Sequence, residues 1–309
     1  MKISVITPLY KGEKYIDRLL YMVYKGYIKT TESIADIQVE YILINDSPDI
    51  DMNMNSHIDK FNDIYMNVSL SENFNIIYAV NHVNSGIHKT RTAGLDLSGG
   101  EYIMFLDQDD LISDNIFLKF LQAIKKSKAD IVVSNGYRRW KDGADSYVYI
   151  PLYQKNAALR LTAYEKIYLY GTDMIFSPGQ CLIKRTSIPR EWIDNILTDN
   201  GCDDCYLWLL MLNNKCSIYT IKDRLYCHIE NDTNYSNSYN AMESSFYNMC
   251  DMLDKNKNYS RQKTEILRRR YRLKSYIKTQ NNFFKKLIRL CCNPDIAMAT
   301  FIYKLSGYH

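Results

Sequence analysis

The chain has 309 residues, 46% of them hydrophobic and 24% charged, with 12 Gly and 6 Pro. That composition supplies a globular core and excludes wholesale disorder and collagen-like repeats. The net charge of +4 hides a polarity: residues 255–309 carry 14 Lys/Arg against Glu265 and Asp295, a net of +12, leaving −8 on residues 1–254, which predicts a polyanionic contact for the basic tail.

The first expected element is a buried strand over residues 2–9, rich in Ile and Val and ended by Pro8. Residues 14–24 place Ile16, Leu19, Leu20 and Val23 at helical spacing. A second apolar run, 39–44, stops at the turn Asn45-Asp46-Ser47-Pro48. A third strand at 75–80 leads through Asn84-Ser85-Gly86 into a helix reaching about 97, and a fourth at 102–106 ends in Asp107-Gln108-Asp109-Asp110. Strands alternating with helices predict an α/β fold with a mostly parallel sheet flanked by helices. Ligands in such sheets bind beyond the carboxyl ends of the strands, so the polar clusters at 7–10, 45–49 and 107–110 should share one crevice. Further on, helices are expected at 115–127 and 203–212, strands at 130–134 and 180–184, and helices from about 240 with a break at Pro294. The polar segment 231–240, with Asn231 and Ser236, is the candidate boundary between a body (1–230) and a basic helical extension (231–309).

No run approaches the ~20 apolar residues that span a bilayer, and the start of the chain lacks the apolar core of a secretory leader. Eight cysteines, none before Cys181, suit free thiols in a reducing compartment. The expectation is a cytoplasmic protein, peripheral on the inner face of the cell membrane.

Four motifs in order carry a resemblance: Val5-Ile6-Thr7-Pro8-Leu9-Tyr10, Ile44-Asn45-Asp46-Ser47, Asn84-Ser85-Gly86-Ile87 with Arg91, and Tyr102 to Asp110. Together they resemble the family 2 inverting glycosyltransferases of GT-A (Rossmann-like) fold, of the bacterial surface-polysaccharide type. The resemblance implies transfer of a sugar from a nucleotide-sugar, with UDP favoured, to a lipid-linked oligosaccharide or polysaccharide. It implies a nucleotide site at Thr7, Pro8, Tyr10, Asp46, Asn84, Arg91 and Asp107. It also implies a Mn²⁺ or Mg²⁺ site at Asp109 and Asp107, with Asp110 and His228 as further candidates. The base that takes the acceptor's proton would be Asp204, with Asp203 beside it. The sequence departs from the family pattern at Asn45 and Thr92.

Each assignment has a plainer counterpart. Acids at 107–110 cap a following helix, Asn45-Asp46-Ser47-Pro48 is an Asx-turn, and Asp203-Asp204 suit a helix N-terminus. Cys202 and Cys205 have C-x-x-C spacing, but no second pair completes a zinc set. The other readings kept open are a haloacid-dehalogenase-like phosphatase, which also uses Asp-x-Asp after a strand, and a non-catalytic polyanion-binding module. No nucleic acid is expected as a partner, because the tail lacks a recognisable nucleic-acid-binding motif and the acidic body would repel phosphate. In the remainder of the tail, residues 283–290 alternate apolar and basic groups, which suits an anionic membrane surface.

Overall fold

The computed structural model describes residues 1–65, 73–230 and 238–308; Asn231 and Ser236 of the expected boundary lie outside them. The chain opens with β1 (Lys2–Leu9), α1 (Ile16–Thr31), β2 (Gln38–Asn45), α2 (Met54–Tyr65), β3 (Phe74–Val80), α3 (Gly86–Leu97) and β4 (Tyr102–Phe105). β1 pairs in parallel with β2 and β4, and β2 with β3, in a register that puts Leu9 beside Asn45, Asn45 beside Val80, and Ile6 beside Phe105. The carboxyl ends of all four strands therefore finish at one edge, and the polar residues that follow each of them emerge together.

The second half departs from a mostly parallel sheet. It comprises β5 (Leu111–Ile112), α4 (Ile116–Ser127), β6 (Ile131–Arg139), β7 (Asp145–Tyr147), α5 (Ala157–Leu161), α6 (Glu165–Tyr170), β8 (Cys181–Lys184), α7 (Arg190–Asp194), α8 (Asp203–Asn213) and β9 (Ile218–Ile229). Among the described residues the sheet order is β3-β2-β1-β4-β8-β6-β9-β5, with β7 on β6. β8 runs antiparallel to both β4 and β6, β9 is parallel to β6, and β5 is antiparallel to β9. The four-residue β8 is reached through residues 148–180, where the short helices α5 and α6 are separated by loops rather than forming the single crossover helix of a βαβ unit, and it returns antiparallel to its neighbours.

One face of the sheet is covered by α1 and α4 through Leu19, Leu20, Val23, Phe117, Phe120 and Leu121. The other is covered by α3, α6, α7 and α8 through Leu95, Tyr168, Trp192, Tyr206 and Trp208. Four helices follow: α9 (Tyr239–Lys255), α10 (Arg261–Thr279), α11 (Phe283–Cys291) and α12 (Pro294–Leu305). Phe246, Met249, Leu253 and Leu267 of α9 and α10 join the same apolar cluster as α8, so these two helices pack into the body. Among the described residues no helix is long and apolar enough to cross a membrane.

α3 lies against the sheet at a single tight point. A Cβ at Gly94 would stand 2.3 Å from Ile6 Cγ2 and 3.2 Å from Ile44 Cδ1, which is overpacking against two strands that cannot retreat. Gly94→Ala is expected to destabilise the protein by about 1–3 kcal/mol, measured by urea unfolding, and to shift α3 and its Arg91 away from β1.

Candidate active site

The turn after β4 is pinned to the end of β1 by a side chain. Gln108 Oε1 accepts the Tyr10 N–H at 3.0 Å and its Nε2 donates to the Tyr10 carbonyl at 3.1 Å, while Arg18 Nη2 donates to the Gln108 carbonyl at 3.0 Å. Gln108, the middle residue of Asp-x-Asp, is thus a clamp that copies a strand pairing. On either side of it Asp107 and Asp109 stay half-buried.

Helix α3 is the hub of the site. Asp46, at the end of β2, accepts Asn81 Nδ2 at 2.7 Å, the Ser85 N–H at 2.7 Å and the Gly86 N–H at 2.9 Å. It is 4% exposed. The carboxylate expected to meet a nucleotide base is therefore the anchor of the loop before α3, an expected site for anionic oxygens. That loop leaves Asn84 exposed, with its Oδ1 on the Gly86 N–H at 3.2 Å. Gly86 sits at φ +79, where a Cβ would strike Asn200 Oδ1; that same oxygen accepts the Ile87 N–H at 2.9 Å.

Arg91, one turn further on, is 3% exposed. Its Nη1 donates to Asp203 Oδ2 at 2.6 Å and its Nη2 to Asp107 Oδ1 at 2.5 Å. One buried guanidinium therefore joins the end of β4 to the start of α8, two segments almost a hundred residues apart. Its Nε is buried with no partner. His88, on the same helix, ties down the approach to α8: its Nε2–H donates to the Trp192 carbonyl at 3.0 Å and its Nδ1 accepts the Leu197 N–H at 3.0 Å. Burial pushes this histidine below its usual pKa, so it stays a neutral structural group. Trp192 Nε1–H in turn donates to the Asp203 carbonyl at 2.8 Å.

Asp203 is consumed by Arg91, with both side chains 4% exposed. Asp204 has no such cation. Its Oδ1 accepts its neighbour's Cys205 N–H at 2.6 Å, and burial, followed by the adjacent Asp203 charge, pushes its carboxyl up to about 8. A carboxylate poised near neutrality is what a general base requires.

The geometry places the other predicted residues as follows. Thr7 is 0% exposed and accepts the Tyr41 hydroxyl at 3.2 Å inside the core; Pro8 is half-buried and Tyr10 49% exposed. Asp110 is 0% exposed and is not open to an ion. It accepts the Tyr226 hydroxyl, the Ile229 N–H at 3.1 Å and His228 Nδ1 at 2.9 Å. The β5–β9 register, with Leu111 opposite Cys227, sets Asp110 against His228. Burial raises the Asp110 carboxyl to about 6; burial also pulls the His228 imidazole down, but the Asp110 hydrogen bond and charge, with the charges of Glu230 and Asp107, together leave it raised. His228 thus faces a protein carboxylate through Nδ1. Among the described residues no three His, Cys, Asp or Glu side chains are grouped to hold a metal; Asp107 and Asp109 are the acids of the predicted set that remain partly open.

Sequence reading missed His88, Trp192 and Asn200. The one available signal was that His88 and Arg91 stand three apart on a short polar helix, on one face.

The glycosyl transferase family 2 model matches residues 4–190. A Bacillus subtilis protein named minor teichoic acid biosynthesis protein GgaB is 33% identical over 129 residues, which are 41% of this chain and 12% of that protein. The S. aureus TarS 1-349 structure in complex with UDP-GlcNAc superposes with a TM-score of 0.57 at 17% identity, covering 99% of this chain and 82% of that one. The Pyrobaculum calidifontis mannosyltransferase PcManGT, in complex with GDP-Man and Mn²⁺, superposes with a TM-score of 0.57 at 13% identity, covering 99% and 85%. The chain spans well under half the length of the curated relatives it matches. With the motif residues at the ends of four parallel strands and the model match over more than half its length, the chain belongs to glycosyl transferase family 2.

Proposed function

We propose that the protein transfers a sugar, with inversion, from a nucleotide-sugar to a lipid-linked oligosaccharide or polysaccharide at the cytoplasmic face of the membrane. The catalytic unit is residues 1–230, with residues 231–309 as a basic helical extension. The observation that carries this reading is the Asp107–Arg91–Asp203 bridge. It holds the acidic turn where a donor diphosphate would lie and the helix that begins with Asp203-Asp204 in one rigid arrangement.

Pro8, Tyr10 and Asn84 would border the nucleotide, with Asp46 behind them fixing the loop. Asp204 takes the proton from the acceptor hydroxyl as that oxygen bonds to the anomeric carbon; the bond from that carbon to the diphosphate breaks on the opposite face, and the nucleoside diphosphate leaves with the electron pair. Asp203 positions Asp204 through Arg91. Two half-open carboxylates suit a divalent cation, whose other ligands would have to come from outside the protein. Asp109 and Asp107 would hold it, and when bound it supplies neutralisation of leaving-group charge. UDP is favoured as the carrier because TarS is solved with UDP-GlcNAc.

Isothermal titration of the purified protein with UDP, GDP and dTDP, in Mn²⁺ or in EDTA, tests the donor site. UDP is expected to bind most tightly and only with the metal, and Asp109→Ala to weaken it by at least about tenfold. No heat with any nucleotide would overturn the transferase reading.

A further inference from the structure

Among the described residues α11 stands apart from every other long helix, because none of its residues is buried. Phe283, Phe284, Leu287 and Ile288 are 69%, 73%, 47% and 64% exposed. Their spacing of i, i+1, i+4, i+5 puts them on one face of a helix, and Lys285, Lys286 and Arg289 fall on the opposite side. α12 repeats the pattern with Met298, Phe301, Ile302 and Leu305, which are 60%, 57%, 43% and 61% exposed at i, i+3, i+4, i+7. Eight large apolar side chains thus stand in water on two consecutive helices. Such a surface marks a contact rather than a core.

Beside it lies a recess of about 270 Å³ lined by Arg269, Arg272, Leu273, Arg289, Cys292 and Asn293. Arg269 pairs with Asp295 and Arg272 with Glu265, at side chains that are all 40% or more exposed. Arg289 rests 5.7 Å from the centre of the Tyr276 ring. Two carboxylates therefore face three guanidinium groups. The Nε of Arg269 is also buried without a partner. The surplus positive charge there adds to the attraction of this end of the molecule for an anionic surface.

We propose that α11 and α12 form a foot that sets its exposed apolar side chains into an anionic phospholipid leaflet, held there by the attraction between the leaflet and the surplus basic residues around the foot. The charge distribution selects this occupant: a second copy of the chain would bring another net +12 segment against this one, whereas an anionic leaflet complements it. The foot rests on the transferase reading only for its benefit, which is to keep a lipid-linked acceptor within reach in two dimensions.

The test is sedimentation of the full chain with acceptor-free vesicles of phosphatidylglycerol and phosphatidylcholine, or of phosphatidylcholine alone. Binding is expected to the anionic vesicles and to fall in about 0.5 M salt. The pair Phe284→Ser with Ile288→Ser should weaken it at least tenfold. Arg272→Gln and Arg289→Gln should each weaken it about fivefold. Because α11 buries nothing and the Arg272 side chain on α10 is 55% exposed, these variants are expected to unfold like the parent protein and to bind UDP unchanged, which separates failure of the foot from failure of the donor site. Equal binding to neutral vesicles, indifference to the apolar pair or to both arginine variants, or a dimer in sedimentation velocity that the apolar pair dissociates would overturn the proposal.

Discussion

Replacing Asp204 with Asn is expected to lower the turnover number by about 10³-fold, within the range that a positioned general base contributes, with UDP affinity in Mn²⁺ unchanged. The substitution keeps the size of the side chain and its acceptor for the Cys205 N–H but removes the proton acceptor. The reaction to follow is donor hydrolysis from a panel of UDP-sugars, since water can stand in for the acceptor hydroxyl. The parent enzyme's pH profile supplies the second readout. Burial and then the Asp203 charge raise the Asp204 carboxyl to about 8, and the base works only when deprotonated. Thus kcat/KM should climb about tenfold per unit below that value and level off above it. A profile flat from pH 6 to 9, or an Asn variant of undiminished rate, would remove Asp204 from the role.

The larger effect on stability is expected at Arg91. Arg91→Met leaves Asp107 and Asp203 without their shared cation, and Asp203 is among the most buried acids in the chain at 2% exposure. Breaking a buried ion pair by removing one partner costs about 3–5 kcal/mol, because the charge left behind has neither water nor a counter-ion. Equilibrium unfolding should register that loss. Adding Asp203→Asn should return part of it, since the stranded charge is then gone, and the shortfall from additivity measures the coupling between the two side chains. The same variant should bind UDP more weakly, because the turn bearing Asp107 loses its tie to α3. Arg91→Lys should rescue little of either property: an ammonium lacks the planar fork that reaches two carboxylates on different segments.

Much of the first half of the molecule was legible in the sequence. β1, β2, β3 and β4 are apolar runs closed by polar turns, α1 has an apolar stripe at helical spacing, and these local signals survive folding because pattern and burial agree. The expected start of α8 at Asp203 likewise matches the helix at Asp203–Asn213. The mixed order of the second half was not legible, since β8 is four residues long and its pairing with β4 and β6 depends on where the irregular stretch before it travels.

The sequence by itself determined the α/β character, the family and the chemical types gathered at the strand ends, for these rest on local periodicity and on motif order along the chain. Only the tertiary structure decided which acids are spent on the protein and which remain for chemistry. Asp107-Gln108-Asp109-Asp110 reads as a row of equivalents. Yet Gln108 clamps β1, Asp110 is drawn into the core by the β5–β9 register, and Asp107 is shared with Arg91. Asp203 and Asp204 are adjacent and alike, but the guanidinium bonds only to the first, and burial and the Asp203 charge keep the second's pKa raised against the pull of Arg91. The physical reason is that a carboxylate's state depends on burial and on counter-charges brought from residues far along the chain, and neither quantity is written in its neighbours.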